Sequence, residues 1–357
     1  MREISNGGPE DSLAADEGFW EGLRGARIFM TGGTGFFGCR LLESFLHANQ
    51  KLELKAETLV LTRDEAAFRG RCPQLAGAQA VSFHRGDVRS FDFPQGQYSH
   101  IIHAATEASD KLNQDQPDLM LETIVQGTRH TLEFTKSCGA QKFLFISSGA
   151  IYGKQPDAMT HIPEDHVAVF DPAAPTSAYT QGKRQAELLC VAEADRGKME
   201  TTIARGFAFV GPGLSLDTHF AIGNFIRDSL QGRPIEVRGD GTPYRSYLYT
   251  SDLATWLWTI LLRGRSGRAY NVGSENRVSI RELAETVARV LKPDLPVRVL
   301  GVPCPGRPAE QYVPSTRRAR EELGLRQTVG LEEAIRRTAA WAAQAHQSQS
   351  CSWPATR

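Results

Sequence analysis

The sequence predicts an α/β fold, a doubly wound parallel sheet carrying a smaller α+β lobe. Three observations carry that expectation. Short β-branched runs alternate with helical periodicity through the first half of the chain. The runs are apolar almost throughout rather than alternating with polar residues. A glycine-rich turn stands between the first run and the first helical segment. Continuous apolar strands separated by helices require a sheet covered on both faces.

The elements follow in order. Residues 1–24, rich in Gly, Ser, Asp and Glu, read as a mobile leader with a short helix at Phe19–Leu23 leaning on the body. Strands are expected at Ala26–Met30, Leu59–Thr62, Ala80–Phe83, His100–His103, Lys142–Ser147 and Thr201–Phe207. Helices are expected at Phe37–Ala48, Leu119–Cys138 and Ala178–Glu193, so residues 25–210 form one domain. Beyond it, helices at Ala221–Gln231, Ile280–Leu291 and Leu331–Ala343 mix with short strands and Gly/Pro turns. That texture predicts a lobe over residues 211–343, laid on the sheet's carboxyl edge, with segments such as 245–274 returning to the first domain. Residues 344–357 read as a loose tail.

Composition narrows the function classes. Of 357 residues, 41 are Lys or Arg and 41 are Asp or Glu, so the formal charge is zero. No net field is left to favour nucleic acid or an anionic membrane. The longest apolar stretch, Leu253–Leu262, is about half of what a membrane span needs. The N-terminus is acidic and has no apolar core, which fits neither a signal nor a transit peptide. Cys39, Cys72, Cys138, Cys190, Cys304 and Cys351 lie far apart with no CxxC pair. That spacing suits a reducing, cytoplasmic location and suggests no bound metal.

The turn reads Thr31-Gly32-Gly33-Thr34-Gly35-Phe36-Phe37-Gly38 and opens directly into a helix. Gly32 allows the tight turn, Gly35 lets backbone approach a pyrophosphate, and Gly38 lets helix and strand pack closely. The helix N-terminus adds free N–H groups, so Gly32, Thr34, Gly35, Phe36, Phe37 and Gly38 form the expected dinucleotide cradle of a Rossmann-type sheet. After the second strand, Thr62 stands where an acid would select NAD, and Arg63 follows it. A guanidinium suits a 2′-phosphate, which favours NADP. NAD is the alternative, with Arg63 paired instead to Asp64 or Glu65.

Tyr179 and Lys183 stand four residues apart at the start of a helix, on one face. A nearby ammonium favours the phenolate and could bring a phenol into working range as an acid/base. The plain alternative is a surface aromatic beside a solvated Lys. Ser148, at the end of the preceding strand, and the upstream glycine turn argue for the catalytic reading.

Together these residues resemble the extended short-chain dehydrogenase/reductase family, in its NAD-dependent epimerase/dehydratase branch that modifies nucleotide sugars. The resemblance runs from Arg27 to Trp341. It rests on TGGTGFFG (31–38), GDV (86–88), HAA (103–105), SSGAIYG (147–153) and YTQGK (179–183), then more loosely on GP (211–212), GDGTPYRS (239–246), YNVGS (270–274) and RPAE (307–310). It implies that Ser148, Tyr179 and Lys183 are catalytic, with Ser148 also touching the substrate oxygen. It places Asp87 and Val88 near the adenine and Ala104 and Ala105 along the cofactor groove. Arg245 and Arg307 would grip a nucleoside diphosphate. A homodimer through the helices Leu119–Cys138 and Ala178–Glu193 is also implied.

Three departures matter. Sugar 4,6-dehydratases carry an Asp–Glu pair just after the catalytic hydroxyl residue, where this chain has Gly149 and Ala150. The family's Asn in NVxGT is Ile124 here, and the Asn often found before Gly-Pro is lost from Phe207-Ala208-Phe209-Val210. The expected reaction is ketoreduction at C4 of a nucleoside-diphosphate sugar, with 4-epimerisation as the alternative. Rival readings are a dehydratase with a non-standard acid/base pair, a reductase of small carbonyls and a non-catalytic dinucleotide sensor. If Arg63 holds a 2′-phosphate, Arg63→Ala should weaken NADP binding by about tenfold or more and leave NAD nearly untouched. Isothermal titration with both dinucleotides checks this, and equal affinities before and after the change would refute it.

Overall fold

The computed structural model describes residues 17–106, 110–167, 178–217, 220–306 and 308–348. Seven strands form the main sheet: β1 Arg27–Thr31, β2 Glu57–Thr62, β3 Val81–Arg85, β4 His100–His103, β5 Lys142–Ser148, β6 Glu200–Gly206 and β7 Arg268–Val272. Their order is β7-β6-β5-β4-β1-β2-β3, and every pairing is parallel. Chain order reverses between β1 and β4, which opens a crevice at their carboxyl ends.

Successive residues of β1 serve opposite faces, as the two-residue period of a strand requires. Ile28 and Met30 join the core beneath helix α1 (Phe36–Lys51), while Phe29 joins the core on the other face with Phe134, Phe143 and Phe145. The second face is covered by α3 (Pro117–Ser137) and α4 (Ala178–Asp195), which pack on each other. Earlier in the chain, α2 (Glu65–Arg71) follows β2 and carries Phe68 into the first core.

The lobe is built from α5 (Ala221–Leu230), α7 (Ile280–Leu291) and α9 (Leu331–Ser348), which enclose Ile222, Phe225, Leu283, Val287 and Ile335. Its strands are very short: Tyr244–Arg245 lies between Val278–Ser279 and Gln311–Tyr312, and Ile235–Val237 pairs with Val297–Val299. Ser279 and Glu282 form a capping box that starts α7. The apolar stretch Leu253–Leu262 is the body of α6 (Thr250–Arg263), which packs on α1, and β7 then extends the main sheet beside β6. Arg317–Leu323 forms α8 beneath that edge.

At the chain ends, the expected short helix at Phe19–Leu23 is present and leans on the body: a helical turn and a 3-10 turn from Glu17 to Leu23 bury Phe19, Trp20 and Leu23. Trp20 lies 5.7 Å from Trp258, whose Nε1 donates to Ser44 Oγ at 3.0 Å. Apolar area, not local propensity, holds that turn. At the other end α9 runs on to Ser348, five residues beyond the expected Ala343. Trp20→Ala should therefore destabilise the protein by about 3–5 kcal/mol. A urea titration checks this, and a loss below about 1 kcal/mol would mean the leader only rests on the body.

Candidate active site

The glycine turn is shaped by what lies against it. Gly32 has φ +69°, and a Cβ there would fall 2.5 Å from the carbonyl carbon of Ala104. A Cβ on Gly38 would fall 2.3 Å from Gly33 Cα, so helix and turn touch backbone to backbone. Gly35 donates its N–H to Gly32 O at 3.0 Å and caps α1 without any side chain. The first N–H groups of α1 thus face the crevice uncapped, the arrangement an anionic pyrophosphate needs. These features fit a dinucleotide.

The floor of the turn is a buried polar chain. Thr31 Oγ1 accepts from Ala105 N–H at 3.1 Å and lies 2.8 Å from His103 Nδ1. Thr128 Oγ1 gives its proton to Ile124 O at 2.7 Å, so it must accept from His103 Nε2, 3.0 Å away. His103 Nδ1 then accepts from Thr31, and burial keeps the ring neutral, with its pKa down to about 3. Phe37 packs edge-on against Phe209 at 5.0 Å, and Phe36 lies between the main core and the lobe core, so both side chains are structural and their N–H groups are what face the crevice.

Beyond β2, Arg63 is exposed. The two acids that could have neutralised it are engaged elsewhere. Asp64 caps α2 through Ala67 N at 2.9 Å, and Glu65 pairs with Arg69 at 2.6 Å. Asp87 is held below the usual carboxylate range chiefly by its hydrogen bonds from Arg89, with a smaller pull from Arg63. Val88 turns into the core against Gly127. Sequence reading missed Arg71, whose Nη2 donates to Thr34 O at 2.7 Å and so braces the turn from outside.

Ser148, Tyr179 and Lys183 converge at the carboxyl end of β5. Ser148 Oγ accepts from Ala150 N–H at 3.1 Å, and its hydroxyl acts on the Tyr179 phenol against the effect of burial. Lys183 Nζ donates to Ile146 O at 2.7 Å and to Thr106 Oγ1 at 2.9 Å, and lies 5.9 Å from the Tyr179 ring centroid. The expected electrostatics are reversed in this packing. Burial pushes Lys183 down to about 7, only partly offset by Glu187, and burial pushes the Tyr179 phenol up. Two groups in low dielectric both prefer their neutral forms.

A clamp that sequence reading also missed holds these residues in place. Glu187, one turn beyond Lys183, accepts from Ser147 Oγ at 2.5 Å and from Arg205 Nη2 at 2.7 Å and Nε at 3.0 Å. Arg205 Nη1 reaches Tyr152 Oη at 2.7 Å and Glu164 O at 2.8 Å, and Tyr152 donates on to Asn271 Oδ1 at 2.8 Å. The spacing of Glu187 from Lys183 was the only available signal. Among the acids that follow Gly153 in the chain, Glu164 accepts from Asn271 N–H at 2.9 Å and Asp157 faces Lys154 at 3.5 Å.

From the lobe, Arg245 lies in register with Tyr312, and its Nη1 donates to Tyr244 O at 2.8 Å. Arg307 lies outside the described residues. Ile124 is buried against Gly182, where an added Cβ would meet it at 3.1 Å, so this departure is a packing contact between α3 and α4. Ala208 packs against the lobe core. Among the described residues no cluster of His, Cys, Asp or Glu could hold a metal ion. No described helix is long and apolar enough to cross a membrane.

Comparison with known proteins places this geometry. UDP-glucuronic acid decarboxylase 6 of Arabidopsis thaliana is 30% identical over 310 residues, covering 87% of this chain and 86% of the relative. UDP-glucose 4-epimerase from Thermotoga maritima, solved with UDP-glucose, superposes with a TM-score of 0.73 at 20% identity over 90% of this chain and 99% of its own. DesIV, a dTDP-glucose 4,6-dehydratase from Streptomyces venezuelae with NAD and TYD bound, gives a TM-score of 0.73 at 24% identity over 90% and 98%. Those two likenesses show the fold. Matched by the family's model across residues 28–273, from β1 to the end of β7, the chain belongs to the NAD dependent epimerase/dehydratase family.

Proposed function

We propose that the protein catalyses oxidoreduction at ring C4 of a nucleoside-diphosphate sugar, most directly reduction of a 4-ketone, with 4-epimerisation as the alternative. One observation carries this reading. The hydroxyls of Ser148 and Tyr179 converge with Lys183 at the carboxyl end of β5, and no carboxylate stands at positions 149 and 150. A nicotinamide dinucleotide held by the cradle supplies or takes up the hydride. Ser148 donates to the ketone oxygen and polarises it. Tyr179, kept protonated by burial, delivers its proton to that oxygen as negative charge develops there. Lys183 lies beneath the phenol, where it can bind the nicotinamide ribose and, once charged, stabilise the phenolate left behind.

The absence of carboxylates after Ser148 disfavours elimination across C5–C6, which needs a base and an acid there. Arg63 favours NADP, because Asp64 and Glu65 are both engaged with other partners. NAD remains the alternative, as bound in the DesIV neighbour. Arg245, and Arg307 beyond the described residues, would hold the diphosphate. A homodimer would pair α3 and α4 of two copies, and Leu188 is exposed on α4. Five described cysteines are free, in keeping with a cytoplasmic location.

A second reading, decarboxylation, is favoured by the name of the curated relative. Oxidation at C4 of a sugar bearing a C5 carboxylate gives a β-keto acid, which loses carbon dioxide without a further carboxylate catalyst. A panel of 4-keto, 4-hydroxy and uronate nucleotide sugars with NAD(P)H or NAD(P), read by mass spectrometry and NMR, separates these outcomes. Reduction of the 4-ketone is expected, with no 4-keto-6-deoxy product from a hexose. Release of carbon dioxide from the uronate would install the second reading, and inertness toward the whole panel would overturn both.

Two variants test the roles. Tyr179→Phe should keep fold and cofactor affinity but lower turnover by about 10²-fold or more. Lys183→Met should abolish turnover and yet raise Tm near neutral pH. The unfolded lysine titrates near 10.5 and the folded one near 7. Between those values the unfolded chain binds more protons, so the native protein gains stability as pH rises through that window. Thermal melts of the cofactor-free protein from about pH 7 to 9 should show that rise in the parent and a flatter profile in Lys183→Met. Parallel profiles would refute the buried neutral lysine.

A further inference from the structure

The chain between β4 and α3 reaches both members of the acid/base pair. It leaves β4 along the glycine turn: Ala104 lies against Gly32, and Ala105 gives its N–H to Thr31 Oγ1 at 3.1 Å. Thr106 comes next. Its Oγ1 donates to Ala105 O at 2.6 Å and lies 2.9 Å from Lys183 Nζ. A hydroxyl has one proton to give, so Thr106 accepts from the lysine. Ile146 O accepts from the same amine at 2.7 Å. A neutral amine has two N–H groups, and these two acceptors use both. The third proton, gained on charging, is the one left for a ribose hydroxyl or a phenolate. Further on, the short helix Asp110–Asp115 carries Asn113, whose Oδ1 accepts from Tyr179 N–H at 2.9 Å. That N–H lies in the first turn of α4, where no carbonyl of the helix can serve it.

We propose that Thr106 and Asn113 are positioning residues: Thr106 fixes the Lys183 amine and Asn113 fixes the start of α4 at Tyr179, so the chain that walls the dinucleotide cradle also sets where amine and phenol stand. Neither side chain exchanges a proton with substrate. One contact is to a side-chain nitrogen and the other to a backbone N–H, yet both come from one connection of the sheet. The titratable neighbours of Lys183 are Glu187, Cys190, His103 and Tyr179, and the substitutions below leave all four in place. This inference rests on the C4 reading for its kinetic consequence but not for its contacts.

Thr106→Val keeps the shape and removes the acceptor, whereas Thr106→Ser keeps it. In the cofactor-free protein the 13Cε NMR signal of Lys183, assigned by its loss in Lys183→Met, should titrate lower in Thr106→Val by about half a pH unit or more. In Thr106→Ser it should titrate as in the parent. Hydrogen exchange of the Tyr179 amide should quicken about tenfold or more in Asn113→Ala and stay slow in Asn113→Asp, which retains the Oδ1 acceptor. With the nucleotide sugar that the parent turns over, Thr106→Val and Asn113→Ala should each lower kcat about tenfold and leave KM within about twofold. Thr106→Ser and Asn113→Asp should recover most of that loss. If titration and exchange move while the parent is inert toward every nucleotide sugar, the C4 reading fails and both positioning contacts stand. An unmoved Lys183 titration overturns the role of Thr106, and unchanged Tyr179 exchange overturns that of Asn113. Full kcat in either variant of an active enzyme overturns the role of that residue as well.

Discussion

The buried Arg205–Glu187 ion pair is the contact on which the rest of the site depends. It joins β6 to α4 at the carboxyl edge of the sheet, with side chains only 13% and 10% exposed. Pairs of this kind add little net stability compared with an apolar replacement, because both charges must first leave water. Breaking one is another matter, since the surviving charge is stranded; that loss is about 3–5 kcal/mol. Here both partners make further bonds. Glu187 also takes the Ser147 proton, and Arg205 also holds Tyr152 and the Glu164 carbonyl. The pair therefore specifies geometry: α4 can sit on the sheet in one register, with Lys183 under Tyr179 and Ser148 next to the fastened Ser147.

From that register follows a division of labour. The sheet supplies rigid parts, namely the backbone-to-backbone glycine cradle, the neutral His103 relay beneath it and the Ser148–Tyr179–Lys183 group. The lobe supplies Arg245 and Tyr312 on adjacent short strands. Among the described residues, the side chains that converge in the reacting region are the hydroxyls of Ser148 and Tyr179 and the Lys183 amine rather than carboxylates. Hydroxyls in a low-dielectric site polarise and protonate an oxygen well, but they are too weakly acidic and basic to abstract a proton from carbon. Geometry and acidity thus point to the same chemistry at C4.

Much of the fold was legible because its signals are local. The turn between β1 and α1 carries its glycines within eight residues, and the strands announce themselves by β-branched runs. His100–His103 and Ile280–Leu291 have the bounds expected of them. That the turn at Phe19–Leu23 leans on the body was legible, but its partner was not, since Trp258 lies far along the chain. The same holds for the clamp and for Tyr312: Glu187 meets Arg205 across two elements, and Tyr312 Oη stands where a Cβ on Gly149 would fall. Gly149 was readable as a lost acid but not as a space filled by the rings of Tyr312 and Phe207. The pKa of Lys183 eluded sequence reading for a different reason, because spacing gives proximity while burial sets the sign.

That the reacting centre works without a carboxylate is the central claim, and a crystal structure of the ternary complex tests it most directly. The protein would be crystallised with oxidised dinucleotide and a nucleoside-diphosphate hexose. The C4 oxygen should lie within about 3 Å of both Ser148 Oγ and Tyr179 Oη, with no carboxylate within reach of C5. A carboxylate of Asp157, Glu164 or Asp165 turned toward C5, or a C4 oxygen beyond reach of Ser148, would contradict it.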